Sequence, residues 1–427
     1  MRYSVISLGC HKNLVDSEYL CEQIITGGGI LEQDPDNADI VVVNTCSFLT
    51  SAVEESIDSL LEFISRGKQV ICAGCMISRY GRDLLDELPE VALFIGPGRY
   101  AELIDAITSG QLYLSPKFDS VVSRSFCTTG ASAFVKVSEG CSNHCNYCLI
   151  PSIRGELTSK PIQTVIEECR VLADGGVREI ILVAQDLGSY GADTADAESL
   201  PRLLEQVALI EGISWIRLMY VHPASLTEDL VKAMRDIDKI CPYIDLPIQH
   251  CSETVLKAMG RRGGSRAVKR AIDLLNSTLE DIWIRTTVMV GHPGEDETAF
   301  AEIETLISQG HFAHLGVFCF SPEQGTRSYS MKNRPNKTRA QSRRNRIMAL
   351  QQDISKKRLH KLIGEEVQVL VEGIHPETDF LFIGRTAFQA PDVDGVTIIT
   401  EGTVERGRLH QANITDANDY DLIGTVL

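Results

Sequence analysis

Over the first 110 positions the apolar residues fall into short blocks separated by stretches of helical spacing. The blocks YSVISL (3–8), IVVVN (40–44), QVICA (69–73) and VALFI (91–95) have the length and β-branched content of buried strands. Apolar residues three and four apart over about 14–26, 50–66, 79–88 and 99–109 mark amphipathic helices. This alternation predicts an open, Rossmann-like α/β domain over residues 1–110. Residues 111–133 lack periodicity and read as a connector. A second series follows: FVKVSEGC (134–141), REIILVAQD (178–186), WIRLMYVHP (215–223), YIDLPIQH (243–250), IWIRTTVMVGHPGE (282–295) and HLGVFCFSP (314–322). Each block ends in polar, Gly or Pro residues, and most lead into a helical pattern. Six βα units over 134–331 predict a partial (β/α)6 barrel of the TIM type, with its site at the carboxyl ends of the strands. Residues 332–361 read as a connecting helix. The blocks EEVQVLVEG, FLFIGRTAF, VTIIT and YDLIGTVL predict a small antiparallel, OB-like β-barrel over 362–427.

Composition narrows the class without naming a chemistry. The chain has 427 residues, 44% hydrophobic and 23% charged, as in a soluble globular protein of two or three domains. No apolar run approaches the roughly 20 residues that span a bilayer, so no membrane association is expected. The first residues, MRYSVISLGC, read as a strand and not as a signal peptide. The expected location is therefore the cytoplasm, where thirteen cysteines argue for metal or redox chemistry before disulfides.

Cys141, Cys145 and Cys148 stand in the run EGCSNHCNYC, spaced C-x3-C-x2-C among loop-forming residues. A closed zinc site takes four ligands, and a ferredoxin-type cluster takes four thiolates. Three thiolates on one loop leave one iron of a [4Fe–4S] cube open to a ligand. His144 keeps a Cys3His zinc site in play. In the N-terminal series three strands run into a cysteine: Cys10, Cys46 and Cys75. Loops after parallel strands share one sheet edge, so these three are expected to meet. Cys21 and Cys72 read as buried small hydrophobes.

The C-x3-C-x2-C run is the signature of the radical S-adenosylmethionine (SAM) enzymes. With SLGCHKNLVDSE (7–18), EGCSNHCNYCLIPSIRGELTSKPI (139–162), DLPIQHCSETVLKAMGRR (245–262), FSPEQGTRSY (320–329) and GRTAFQAPDVDG (384–395), the whole chain resembles the methylthiotransferases. It is most similar to the branch that modifies an aspartate of small-subunit ribosomal protein number twelve. The resemblance implies two [4Fe–4S] clusters, on Cys141, Cys145 and Cys148 and on Cys10, Cys46 and Cys75. It implies SAM as co-substrate, a C-terminal TRAM domain, and 3-methylthioaspartate formed by hydrogen removal from Cβ. It also implies a low-potential electron donor such as ferredoxin or flavodoxin.

Tyr147 stands where family aromatics approach adenine. Gln185 and Asp186 at one strand end, Arg217 in the next strand, and Gln249 beside His250 are the other expected SAM contacts: a carboxylate for ribose hydroxyls, a guanidinium for a carboxylate. Gly291, Pro293 and Gly294 form a turn open to a ligand. Lys160 replaces the family's usual Arg, and His292 its usual Phe; His292 is read as packing.

Net charge is −17, and it is unevenly spread. Residues 332–361 carry eleven Lys or Arg against Asp353 alone, while 362–427 carry three Arg against twelve acids. An acidic barrel repels phosphates and suits a basic protein partner, which makes tRNA an unlikely substrate. A tRNA adenosine methylthiotransferase and a non-enzymatic iron–sulfur or zinc protein are the alternative readings.

Overall fold

The computed structural model describes residues 1–117, 130–194 and 198–427, so the expected connector at 111–133 falls partly outside the described residues. The N-terminal sheet has six parallel strands in the order β2-β1-β3-β4-β5-β6. They are β1 (Arg2–Ser7), β2 (Ile30–Leu31), β3 (Ile40–Thr45), β4 (Gln69–Gly74), β5 (Leu93–Ile95) and β6 (Tyr113–Leu114). The strand ends are level: Ser7 lies opposite Asn44, which lies opposite Ala73. A cysteine shortly after each of these strands therefore reaches the same edge.

The central sheet also has six parallel strands, each beside its neighbour in sequence, and it does not close. Its strands are β7 (Ser132–Lys136), β10 (Glu179–Val183), β11 (Trp215–Leu218), β12 (Ile240–Asp245), β13 (Trp283–Val290) and β14 (Phe312–Cys319). A two-stranded antiparallel ribbon, β8 (Ser138–Glu139) with β9 (Thr158–Ser159), flanks the cysteine loop. Alternate residues such as Ile180, Leu182, Ile216 and Leu218 pack outward against the helices as one large core. The other face carries Ile181, Val183, Met219 and Tyr243, which pack with apolar residues of the first and last parts of the chain. Parallel strands buried on both faces explain the continuous apolar runs.

Helix Lys337–His360 follows, burying Ile347 and Leu359, and leads into a closed five-stranded barrel, β15-β16-β17-β19-β18. Its strands are β15 (Glu366–Ile374), β16 (Phe382–Thr386), β17 (Thr397–Glu401), β18 (Leu409–Ala417) and β19 (Leu422–Val426). Three details differ from the sequence expectation. Strand β18 is an additional strand; β17 and β19 pair in parallel inside an otherwise antiparallel barrel. The helix expected near 79–88 begins at Cys75 and breaks at Gly81–Asp83. None of the helices among the described residues is long and apolar enough to cross a membrane.

Candidate active site

The edge of the N-terminal sheet faces the mouth of the central sheet, and a cavity of about 630 Å³ lies between them. Cys10, Cys46, Cys75, Cys141, Cys145 and Cys148 all line it. Glycines let the loops pack this closely. Gly9 holds φ +89, and a Cβ there would stand 2.6 Å from the Cβ of Cys46. Gly140 holds φ +72, and its Cβ would stand 2.1 Å from the carbonyl oxygen of Glu156. Neither position accepts a side chain.

The thiols form two electrostatic groups. Cys75 is pushed up to about 12 by burial, opposed by Arg154, and senses Cys10 and Cys46. Cys148 is pushed up to about 12 by burial and senses Cys145 and Cys141. Burial also raises Cys46 and Cys141. Metal binding would have to displace the protons that burial holds on these thiols. His144, by contrast, turns away to Glu156 with Nε2 3.3 Å from Oε1, so it is no partner for the loop cysteines.

Donors approach the sulfurs from the surrounding loops. Arg154 donates from Nε and Nη2 to Cys75 Sγ at 3.3 and 3.1 Å. The same guanidinium donates to Asp16 at 2.6 Å and to Asn13 at 2.5 Å. Asn143 donates to Cys141 Sγ at 3.5 Å, and the Ile150 amide to Cys148 Sγ at 3.4 Å. Glu323, buried after β14, accepts from Thr50 at 3.0 Å and from Arg79 at 2.9 Å, fixing the loop beyond Cys46 to the central unit.

The expected SAM contacts divide. Tyr147, Gln185 and Gln249 line the cavity. Tyr147 accepts from Arg261 at 3.3 Å and meets His292 edge-on. Gln185 donates to Glu139 at 2.7 Å and keeps an unpartnered Oε1. Gln249 holds φ +67 while its backbone bridges to Thr287 and Met289.

Asp186 does not line the cavity. Its oxygens accept from Ser225, Asn143 and Ser189, all at 2.7 Å, and from the His222 amide at 3.2 Å. Its carboxylate is thus engaged by four protein donors, Asn143 among them. Arg217 is a second correction. It is fully buried, donates from Nε to Glu179 at 2.6 Å and from Nη1 to the Ala387 carbonyl at 2.8 Å. It belongs to the seam with the C-terminal barrel, where Arg385 donates to Glu372 at 2.9 Å and also reaches Glu179.

His250 is fully buried, accepts from the Ser252 amide at 3.0 Å and does not line the cavity. His292 bonds at both nitrogens, to Ser328 at 2.9 Å and to Pro293 at 2.8 Å. Lys160 donates to Tyr19 at 2.7 Å and to Glu168 at 2.9 Å, tying the central unit to helix His11–Thr26. Cys72 is fully buried; Cys21 is buried and disulfide-bonded.

Several lining residues were not anticipated: Lys12, Asn13, Asn143, Arg154, His222 and Arg261. His222 accepts the Ala224 amide on Nδ1 at 3.0 Å, which leaves Nε2 as an unpartnered donor. Burial lowers its pKa to about 3, so it is neutral. Its place after β11, ahead of Pro223, was the available signal.

Family models match three parts of the chain: the radical SAM superfamily over residues 135–307, uncharacterized protein family UPF0004 over 2–96, and the TRAM domain over 363–427. A relative from Geobacter sulfurreducens, named ribosomal protein uS12 methylthiotransferase RimO, is 40% identical over 100% of this chain and 98% of its own length. One of the same name from Aquifex aeolicus is 39% identical over 99% of this chain and 97% of its own. The chain belongs to the RimO family of radical-SAM methylthiotransferases. It is an enzyme of the transferase class.

Among solved structures, the radical SAM methyltransferase TsrM from Kitasatospora setae, with cobalamin and a [4Fe–4S] cluster bound, superposes with a TM-score of 0.60. It is 14% identical, over 77% of this chain and 73% of its own. The cobalamin-dependent enzyme OxsB gives a TM-score of 0.56 at 11% identity, over 77% of this chain and 54% of its own. At these identities the likeness is one of fold.

Proposed function

We propose that this methylthiotransferase converts an aspartate of ribosomal protein uS12 to 3-methylthioaspartate, with each cysteine triplet holding one [4Fe–4S] cluster. The observation that carries the reading is that all six cysteines of the two triplets line one cavity. A bound cluster with an open iron supplies reductive SAM cleavage at one triplet and a sulfur-binding iron at the other. The protein's part is to hold, orient and exclude water. Asn143 and the Ile150 amide donate to sulfurs of the 141–148 loop, and Arg154 to Cys75. Tyr147, Gln185, Gln249 and His222 are the proposed SAM-facing residues, with the neutral His222 Nε2–H as a donor. Arg261 brings positive charge to the same wall, suited to the SAM carboxylate.

Among the described residues no carboxylate lines the cavity, while Lys12, Arg154 and Arg261 do. That balance suits a ligand that presents a carboxylate. Supporting the substrate class are the uS12 names of full-length relatives and the acidic C-terminal barrel, which suits a basic protein. The electron donor is proposed to be a low-potential protein such as flavodoxin or ferredoxin, and the location cytoplasmic.

The test is anaerobic: reconstituted enzyme, SAM, sulfide and dithionite, with a uS12 peptide containing the target aspartate. Mass spectrometry should show a methylthio group in place of hydrogen on that aspartate, together with 5′-deoxyadenosine. An unmodified peptide, with methylthioadenosine appearing in added tRNA, would overturn the reading.

A further inference from the structure

Among the described residues that line the cavity, one cation is not committed to a protein partner. Arg154 is ion-paired with Asp16 and with Glu139. Arg261 donates to the Pro247 carbonyl, to Tyr147 and toward Cys145 Sγ. Lys12 forms no ion pair or hydrogen bond among the described residues. Its ammonium rests 3.6 Å from the centre of the Tyr220 ring.

That platform is itself fixed. Tyr220 holds φ +64, its hydroxyl is 3.0 Å from His11 Nδ1, and its amide donates to Asp245 at 3.3 Å. His11 stacks on Phe134 at 4.1 Å and reaches Asp392 of the C-terminal barrel at 3.5 Å. Residues of all three sheets thus position the segment that carries Lys12. Asp245 is the acid near Lys12, but it is buried behind Tyr220 and makes no bond to the ammonium.

A lysine held over an aromatic face can turn its donors to an incoming anion. It stands two residues beyond Cys10 and lines the same cavity as the 141–148 loop. A substrate aspartate entering this cavity brings a carboxylate into a space whose lining includes Lys12. We infer that Lys12 is the specificity-determining residue that binds the carboxylate of the substrate aspartate. The inference rests on the aspartate substrate proposed above. Lys12 acts by charge and positioning, not in the bond-making step.

The experiment compares two fluorescent uS12 peptides, identical except for Asp or Asn at the target, binding to reconstituted full-length enzyme with SAM present. Fluorescence anisotropy gives the ratio of the two affinities, which does not depend on the fraction of folded protein. A charge-assisted contact predicts about a 10- to 100-fold preference for the Asp peptide in the wild type. Lys12→Gln should bring that ratio close to one, and Lys12→Arg should restore most of it. A wild-type ratio in Lys12→Gln, or an equal loss for both peptides, would overturn the assignment. If the wild type methylthiolates the Asp peptide while Lys12→Gln keeps the ratio, only the Lys12 inference falls. If the wild type leaves the Asp peptide unmodified, the substrate reading falls, and the inference with it.

Discussion

Arg154, from the segment after the 141–148 loop, donates two hydrogen bonds to the sulfur of Cys75, a residue of the N-terminal sheet, at 3.3 and 3.1 Å. The guanidinium is buried and also bridges Asp16 and Asn13, so one side chain spans the boundary between the two cysteine groups. Its charge stabilises a thiolate at Cys75 against the burial that raises that thiol. Removing it by Arg154→Gln takes one of the two cations paired with Asp16 and leaves Lys136 in place, at a cost of roughly 1–3 kcal/mol. The variant should unfold at lower denaturant and lose iron from the N-terminal site while the loop site keeps its own. Arg154→Lys should retain iron but shift the reduction potential of that site, because hydrogen bonds to the sulfurs tune it. Iron analysis with redox-titrated electron paramagnetic resonance measures both; unchanged iron and potential in the two variants would refute the role.

The two triplets should also separate chemically. Cys145→Ala is expected to contain about four irons in place of about eight, as four-iron clusters require, and to form no 5′-deoxyadenosine from SAM. Cys46→Ala should contain about four irons as well, yet still cleave SAM and leave the peptide unmethylthiolated. Iron and sulfide assays with chromatography of the nucleoside products read these outcomes. SAM cleavage by Cys145→Ala would show that the ligand assignment is wrong.

The cysteine arrangement was legible because both signals are local. One triplet lies within eight residues, and the other follows strands whose ends come level, as Ser7, Asn44 and Ala73 do. Arg217 was misread because its fate depends on a distant segment: the carbonyl of Ala387, 170 residues away, takes its Nη1 donor. No window of sequence around β11 contains that partner. Asp186 sits at a strand end as expected, but four donors from scattered loops saturate it. Strand β18 escaped notice because LHQANITDA is polar and a register shift between Ile414 and Asp416 breaks its alternation.

The seam that claims Arg217 makes a prediction that a SAM-binding role would contradict. Glu179 is fully buried between Arg217 and Arg385, and both guanidinium groups hold its carboxyl below the usual range against the opposing effect of burial. Arg217→Met removes one of these donors and leaves Arg385 with Glu179. Thermal stability should fall by several degrees, whereas the KM for SAM should stay within about twofold, since a side chain outside the cavity contributes no uniform binding. A tenfold rise in that KM without loss of stability would return Arg217 to the SAM site.

Three buried histidines near the cavity give the fold a defined response to acid. Burial lowers His222 and His250 to about 3 and His292 to about 4. In the folded chain they stay neutral as pH falls, while in the unfolded chain they take up protons below about 6.5. The unfolded state therefore binds more protons, and stability present above pH 6.5 is lost on acidification. At pH 5 each contributes a loss of roughly 1–2 kcal/mol relative to neutral pH. Asp245 acts in the opposite direction. Burial raises it to about 6, so its cost accumulates as pH rises from about 4 to 6 and offsets about one histidine. The expected direction is a net loss of stability between pH 7 and pH 5, read by urea unfolding of the metal-free protein. His250→Asn keeps an acceptor for the Ser252 amide and removes one titrating ring, so its pH dependence should be shallower by roughly one histidine's share. Equal slopes for the variant and the wild type would show that His250 titrates normally in the fold.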